Sequence, residues 1–454
     1  MLIKKTIKIP VHHATTKLKQ SILDNTTARI TFCIQRISNL IDDDTELTLK
    51  NIRRLARKNK IAKKTKLSAR FVDQCIDKTI WSWKSYKQLH KEWEYKIKST
   101  EKKIAEKEEE LKKDYRTEYI KRLQRKLERQ KTYLEKLKNK EPSTPTFLYK
   151  TPCRIDIRTG RIEWNNKSKL SSLWIHMSTL KKRVMVDIPL NPAPYHIKQL
   201  KDAKIRDFEI VKTDGKYYIH VSVQKEIKDK KVSSVGGIDQ GLNHSVGIVF
   251  LPSDETGVPF EGLICDEKKQ EILRKYDEIV SELQNAKQYR KLRQLRSKRF
   301  NIANEYDWQI ANQVAKMSNG VLIGISDTNF GQTQYRGNGM PTLRKRVGKW
   351  SYARQRQYIM LRRAENGYDT LLVLERGSND CHACGSHFVV RRWLPSGESY
   401  IICHSCGLKK DADINASYNI AYNTALRCQD ERLKAQMNVW KTHVSVQHGC
   451  PSVH

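Results

Sequence analysis

The sequence predicts a multidomain α/β protein, and three observations predict it. First, no Pro or Gly occurs between Val11 and Pro142, a stretch dominated by long charged residues, and that composition favours helix. Second, after Glu141-Pro142-Ser143-Thr144-Pro145 the pattern changes to short β-rich runs up to about residue 230. Third, from 231 onward apolar runs of strand length alternate with helical segments, the pattern of a sheet with crossover helices. A chain of 454 residues has room for two to four domains with real cores.

The elements follow in order. Residues 2–11 alternate as a strand, with Leu2, Thr6, Ile7, Ile9 and Val11 among lysines. Residues 16–141 read as helical, and Ile120, Leu123, Leu127, Leu134 and Leu137 form one narrow apolar seam. Two readings of this region stay open: a solvated helical hairpin, or a basic lobe that tracks a phosphate backbone. The clearest hairpin is Phe208 to Val223, turned by Asp214-Gly215, with Tyr217, Ile219, Val221 and Val223 sharing one face. A lysine-rich linker runs from Lys225 to Lys231. Residues 235–250, V-G-G-I-D-Q-G-L-N-H-S-V-G-I-V-F, read as strand, turn and strand. Helix is expected over most of 266–317, a buried strand over 320–327, a Gly-rich loop over 331–348, a basic helix over 351–365 and a strand over Thr370–Leu374. A helix is expected from 413 to 426, and 427–454 is weakly patterned.

Charge sets the class of partner. The chain has 87 Lys and Arg against 50 Asp and Glu, a net +37, which points to a polyanion and above all to nucleic acid. The cations Lys287, Arg290, Lys291, Arg293, Arg296 and Arg299, with Arg344, Lys349 and Arg354 further on, are the candidate contacts. Trp350 is a candidate for stacking on bases, although an aromatic at helical spacing is more often a packing residue. The N-terminus lacks a signal peptide's apolar core, and no apolar run approaches membrane-spanning length. A soluble protein of the cytoplasm, with no membrane partner, is expected.

Ten cysteines are present. Cys33, Cys75, Cys153, Cys265, Cys428 and Cys450 are scattered, as free thiols in a reducing compartment would be. The other four form Cys381-His-Ala-Cys384-Gly385 and Cys403-His-Ser-Cys406-Gly407, with 18 residues between the pairs. Two such knuckles can close a four-cysteine shell around a structural Zn2+, and two disulfides are the competing reading. Phe388–Trp393 and Tyr400–Ile402 would be the strands of this ribbon.

Two carboxylates stand out. Asp239 ends an apolar strand, and Asp413 opens a helix directly after the second knuckle. Either alone is ordinary at a strand end or helix N-terminus. Together, in an α/β domain with this charge, they suggest a nuclease site of the kind that holds two Mg2+ ions with three or four carboxylates.

The stretches GIDQGLNHSVGIVF, CHACG…CHSCG and DADINASYNIA, in that order, resemble the RNase H-like RuvC domain of the TnpB proteins and of the compact, V-F-like type V CRISPR effectors. The resemblance covers about 235–426 and implies the following layout. Residues 1–15 are a wedge strand and 16–141 a helical recognition lobe; 142–230 form a β-rich, barrel-like wedge domain. Residues 231–375 and 411–426 make the RuvC-like domain, 376–410 is an inserted, target-nucleic-acid-binding zinc ribbon, and 427–454 is a tail. It further implies three acids acting together, the first matching Asp239 and the third Asp413. The middle one is a Glu ending a buried strand and followed by Asp-Leu-Asn. In this chain the strand reads G-I-S-D-T-N-F, so Ser326 falls at the Glu position and Asp327 at the following Asp. Strand alternation aims Asp327 at the opposite face; Asp327 and Glu375 are the candidate substitutes. The usual Tyr-Thr-Ser-Gln before the first cysteine is replaced by Arg376-Gly-Ser-Asn-Asp380.

The resemblance therefore implies an RNA-guided DNA-binding protein with a degenerate nuclease. Its partners would be a guide RNA and target double-stranded DNA, its Mg2+ binding would be weak, and its site would be prokaryotic cytoplasm, at the nucleoid. Its output would be occupancy: transcriptional regulation or recruitment of a partner such as the transcription machinery. A homodimer using the seam at 120–137 is compatible with it. The alternatives are an active Mg2+-dependent RNA-guided endonuclease and a guide-free zinc-ribbon protein.

Overall fold

A computed structural model describes the chain except residues 114–115, 148–150, 182, 243, 253–256, 328–349, 375–378, 395–397, 429 and 435–454, and the side chains of 296–297. It divides into two compact units, residues 4–225 and residues 1–3 with 226–454.

The first unit begins with strand β1 (Leu2–Pro10) and continues into helices α1 (Lys17–Ser38), α2 (Leu49–Lys58), α3 (Ile61–Thr65), α4 (Ala69–Glu110) and α5 (Thr117–Lys138). Thr16 and Thr48 cap α1 and α2 through their side-chain oxygens. The helix α4 runs unbroken for 42 residues because nothing in it removes an amide or frees the backbone. Its distal half packs against α5 and buries Thr100, Ile104 and Leu123. The seam at 120–137 thus runs along α4 of the same chain, with Leu123 buried and Ile120, Leu127, Leu134 and Leu137 half-buried.

The β-rich segment forms two sheets. One has the order β1-β7-β6-β2, with β2 (Cys153–Ile155), β6 (Lys204–Thr213) and β7 (Lys216–Glu226). The other has the order β3-β4-β5, with β3 (Gly160–Trp164), β4 (Leu173–Ser178) and β5 (Met185–Pro189). The expected barrel-like segment takes the form of these two sheets, and the isolated bridge Val11–Leu190 joins their neighbourhoods. The Asp214-Gly215 turn has both residues at positive φ, as a two-residue hairpin with this twist requires. Cys33, Cys75 and Cys153 are fully buried in this unit's core.

The second unit is built on a five-stranded sheet of order β10-β9-β8-β11-β12. Strands β8 (Ser234–Asp239), β9 (Val246–Leu251) and β10 (Phe260–Ile264) form an antiparallel meander. Strands β11 (Val321–Ser326) and β12 (Thr370–Val373) then add in parallel on the other side of β8. Alternation divides the sheet. Ile238, Ile248, Ile323 and Ile325 face α8 (Tyr289–Met317) and α9 (Tyr352–Glu365) in one apolar cluster. Val235, Val249, Leu251 and Leu322 face α10 (Ala412–Arg427) in another. The helix α7 (Glu267–Asn285) pairs with α8, and the chain turns between them at Lys287, φ 52°.

Two close approaches fix α10 on its face. A Cβ on Gly237 would lie 2.0 Å from the backbone oxygen of Ser417, and one on Gly324 would lie 1.7 Å from Thr424 Oγ1. On the other face Arg363 is fully buried and joins four segments. It donates to Ser318 O, Val321 O, Asp369 O, Thr370 Oγ1 and the Ser318 hydroxyl. Burial brings its guanidinium down to about 10. Among the described residues no helix is long and apolar enough to cross a membrane.

Candidate metal centres and nucleic-acid interface

The knuckles form from local geometry. Gly385 and Gly407, each just after a second cysteine, sit at φ 71° and 73°, a conformation that glycine adopts without steric cost. Their N–H groups donate back to Cys381 O and Cys403 O. β13 (Val389–Trp393) and β14 (Ser399–Cys403) pair antiparallel, and β15 (Lys409–Asp411) adds to β14. This brings all four thiols together, with one ligand atom from each within 4.8 Å of the others. Cys381 Sγ lies 3.7 Å from Cys406 Sγ, and Cys384 Sγ lies 3.5 Å from Cys403 Sγ. Disulfides are about 2.0 Å long, so these are not disulfides. A tetrahedron with zinc–sulfur bonds of about 2.3 Å has edges of about 3.8 Å, so the donor set fits Zn2+. Burial pushes the Cys403 thiol up, but the N–H groups of Cys406 and Ser405 outweigh it and bring it down to about 7. Bound there, zinc would tie the two knuckles together, and with four thiolates its shell would be closed. His382 is committed elsewhere: it stacks on Tyr418 and bonds Asn415.

The acids lie next to the ribbon. β8 and β11 pair in register from Val321–Ser234 to Ile325–Ile238, so the next step along both strands sets Ser326 beside Asp239. Both follow the α10-facing positions, Gly237 and Gly324. The helix α10 carries Asp413 in its first turn, and Asp411 caps it by accepting from the N–H groups of Asp413 and Ile414. A short relay joins the two acid-bearing ends. The Asp239 N–H donates to Ser417 Oγ at 3.3 Å, and the Ser417 hydroxyl donates to Asp413 O at 2.8 Å. The face that carries Asp239 and Asp413 thus carries Ser326, a neutral hydroxyl, between β8 and β12.

Asp327 goes the other way. Its N–H donates to Val373 O, and its carboxylate pairs with Arg356 of α9 at 3.1 Å. The same guanidinium donates to Ser326 O. Asp327 therefore belongs to the α9 side, and the alternative substitute, Glu375, lies outside the described residues.

Two partners of Asp413 were not singled out from sequence. His244, 6% exposed, donates from Nδ1 to Asp413 Oδ2 at 3.1 Å. Arg391 of β13 reaches Asp413 Oδ1 at 3.7 Å. The hydrogen bond to Asp413 raises the His244 pKa, against burial. Burial raises the Asp411 carboxyl, and the Asp413 charge adds to it. Nothing in sequence spacing signals Arg391, which arrives through ribbon pairing; His244 stood in plain view within the first acidic motif. A pair of Mg2+ ions needs several carboxylates around it. Here Ser326 stands on the same face as Asp239 and Asp413, Asp411 adds a carboxylate beside Asp413, and a guanidinium and an imidazole lie against Asp413.

The expected nucleic-acid contacts divide. Lys287, Arg290, Lys291 and Arg293 are exposed around the α7–α8 turn and the start of α8. Arg299 and Arg354 are half-buried and ion-paired within the protein. Arg299 pairs with Asp277 at 2.8 Å, and Arg354 with the fully buried Asp307 at 2.7 Å. Asp307 also takes Lys269 and Ser351, so a buried carboxylate without these cations would be very costly. Trp350 lies at the edge of a cavity of about 530 Å3 with Gly241, Leu242, Lys269 and Arg274. Arg344 and Lys349 lie outside the described residues, as does the Arg296 side chain.

Residues 352–420 match the family described as "Cas12f1-like, TNB domain". No curated protein matches the chain in sequence. Among solved structures, the chain is similar to C2c1 of Alicyclobacillus acidoterrestris in complex with single-guide RNA. The identity is 9% and the TM-score 0.56, over 92% of this chain and 88% of that one. It also aligns with a Cas12f1–sgRNA–target DNA complex at 14% identity and TM-score 0.46, over 92% and 99% of the two chains. The C2c1 likeness is one of fold, and it supports a multidomain α/β architecture.

Proposed function

We propose that this chain, a TnpB-like protein of the compact type V CRISPR effector kind, binds DNA under the direction of a guide RNA and does not cut it efficiently. Guide RNA pairing would read the sequence, while the protein holds the heteroduplex by its shape and backbone. In this reading residues 1–15 and 142–230 are the wedge, 16–141 the recognition lobe, 231–375 with 411–426 the RuvC-like domain, and 376–410 a zinc ribbon against the target. The net charge of +37 supports a polyanionic partner through counterion release. The one observation that carries the loss of cutting is the register of β11 on β8, by which Ser326 stands beside Asp239. A hydroxyl in that place leaves the charge of a metal pair unbalanced. What remains is occupancy of DNA, which suits transcriptional regulation or recruitment of another protein, in the cytoplasm of a prokaryote.

The test is the RNA. The chain expressed with its native flanking DNA should purify with one discrete small RNA species. Duplexes matching that RNA should then be bound, with affinity lost on RNase treatment. Heterogeneous RNA, with DNA binding unchanged by RNase, would replace this reading with a guide-free zinc-ribbon protein. An active endonuclease is the second reading, favoured by the persistence of Asp239 and Asp413 and by the extra carboxylate of Asp411 beside Asp413.

A further inference from the structure

We propose that His244, Asp411 and Asp413 form a binding site for one divalent first-row transition-metal ion, Mn2+, in place of a pair of Mg2+ ions. This rests on the reading that the two-metal acid set is short of a carboxylate at Ser326.

The three residues come from two separate parts of the fold, His244 from the β8–β9 connection and both acids from the start of α10, and one ligand atom from each falls within 4.8 Å of the others. The approach is built in. A Cβ on Gly241 would meet Asp413 Oδ2 at 2.9 Å, so glycine there is what lets the carboxylate lie against the loop that carries His244. The imidazole is bonded at one nitrogen and flanked at the other: Nδ1 lies 3.1 Å from Asp413 Oδ2, and Nε2 lies 3.8 Å from Glu398 Oε1. A carboxylate behind the outer nitrogen orients a metal-binding histidine and raises its basicity. Arg391 approaches the other oxygen, Asp413 Oδ1, and leaves the Oδ2 edge to His244.

The donor set decides the ion. Mg2+ takes oxygen ligands and keeps several waters. One imidazole with two carboxylates suits first-row divalent transition metals, and because two of the three ligands are oxygens, Mn2+, the most oxygen-preferring of that series, fits best. The four thiols of the ribbon, soft and already a closed set, would keep zinc. Mn2+ is therefore the probe that separates the two sites.

The experiment uses the purified full chain with its ribbon zinc and no nucleic acid, titrated with Mn2+ while the resonance of free Mn2+ is followed by electron paramagnetic resonance. One Mn2+ should bind per chain and resist an equal concentration of Mg2+. His244→Gln and Asp411→Asn should each weaken it by about tenfold or more, while Asp327→Asn, on the other face of the sheet, leaves it unchanged. Zinc content and melting temperature show whether each variant is folded. If His244→Gln fails to fold, Glu398→Gln decides, with a smaller loss of Mn2+ affinity expected. No Mn2+ bound by the parent chain would overturn the site, as would equal competition by Mg2+. So would binding lost in Asp327→Asn but kept in His244→Gln, or kept in Glu398→Gln where that variant decides. None of these readings involves guide or target, so failure of the RNA-guided reading leaves them standing.

Discussion

The four-cysteine ribbon and the acid face beside it are both assembled at strand ends and turns, but they gather their ligands differently. The ribbon's thiols come from two short knuckles whose turns, at Gly385 and Gly407, aim backbone N–H groups at sulfur. Each half is complete within a few residues. The acid face instead takes Asp239 from β8, position 326 from β11 and Asp413 from α10. Strand register and helix docking alone bring these together. A change at one member of such a set need not disturb the fold: Ser326 is buried and accepts Arg356 at its carbonyl. A lost ligand in the ribbon would be a lost domain; in the acid face, on the proposed reading, it would be a lost reaction.

That contrast can be broken at several strengths. The largest effect is expected for Cys403→Ser. Structural zinc contributes on the order of 10 kcal/mol to small zinc domains. The variant should therefore lose its zinc, and amides of 381–411 should exchange freely by hydrogen-exchange mass spectrometry while β8, β9 and β11 stay protected. Loss of protection across the whole sheet would show that the two sites are not separable. Next comes Arg363→Ala, which leaves the carbonyls of Ser318, Val321 and Asp369 without their buried donor. A loss of about 3 kcal/mol or more is expected in denaturant unfolding. Gly237→Ala should cost about 1–3 kcal/mol by forcing its Cβ onto Ser417 O. Because that contact seats α10, it should also shift the amide resonances of Asp413 and His244. The smallest effect is expected for Asp327→Ala. Its ion pair with Arg356 is 44% exposed on the acid side, and such pairs are worth about 1 kcal/mol or less. A large loss of nucleic-acid or metal binding in that variant would place Asp327 in the site after all.

Much of this was legible in the sequence, for reasons that follow the same division. The knuckles could be read because ligand spacing and the glycines are local. The strands at 235–239 and 320–327 could be read because both of their faces are buried, which makes them continuous apolar runs, and the edge strand at 370–374 because residues 371–374 are all apolar although Leu372 and Leu374 are exposed. The opposite facing of Ser326 and Asp327 follows from strand alternation. The order β10-β9-β8-β11-β12 was not legible from periodicity, since register between β8 and β11 is a tertiary fact. The partners of Asp413 were hidden for the same reason: Arg391 belongs to a ribbon strand and reaches the acid only through docking. The ion pairs of Arg299 with Asp277 and of Arg354 with the buried Asp307 were not legible either, because a basic run shows where cations are and not which acids they meet.

The most direct measurement is cleavage by the guide-loaded complex. Matched duplex DNA, incubated with the parent protein and its RNA in Mg2+, should be bound and left intact, whereas Ser326→Glu should introduce measurable cutting that Asp239→Ala then abolishes. Cutting of matched DNA by the parent protein, lost in Asp239→Ala, would contradict the account.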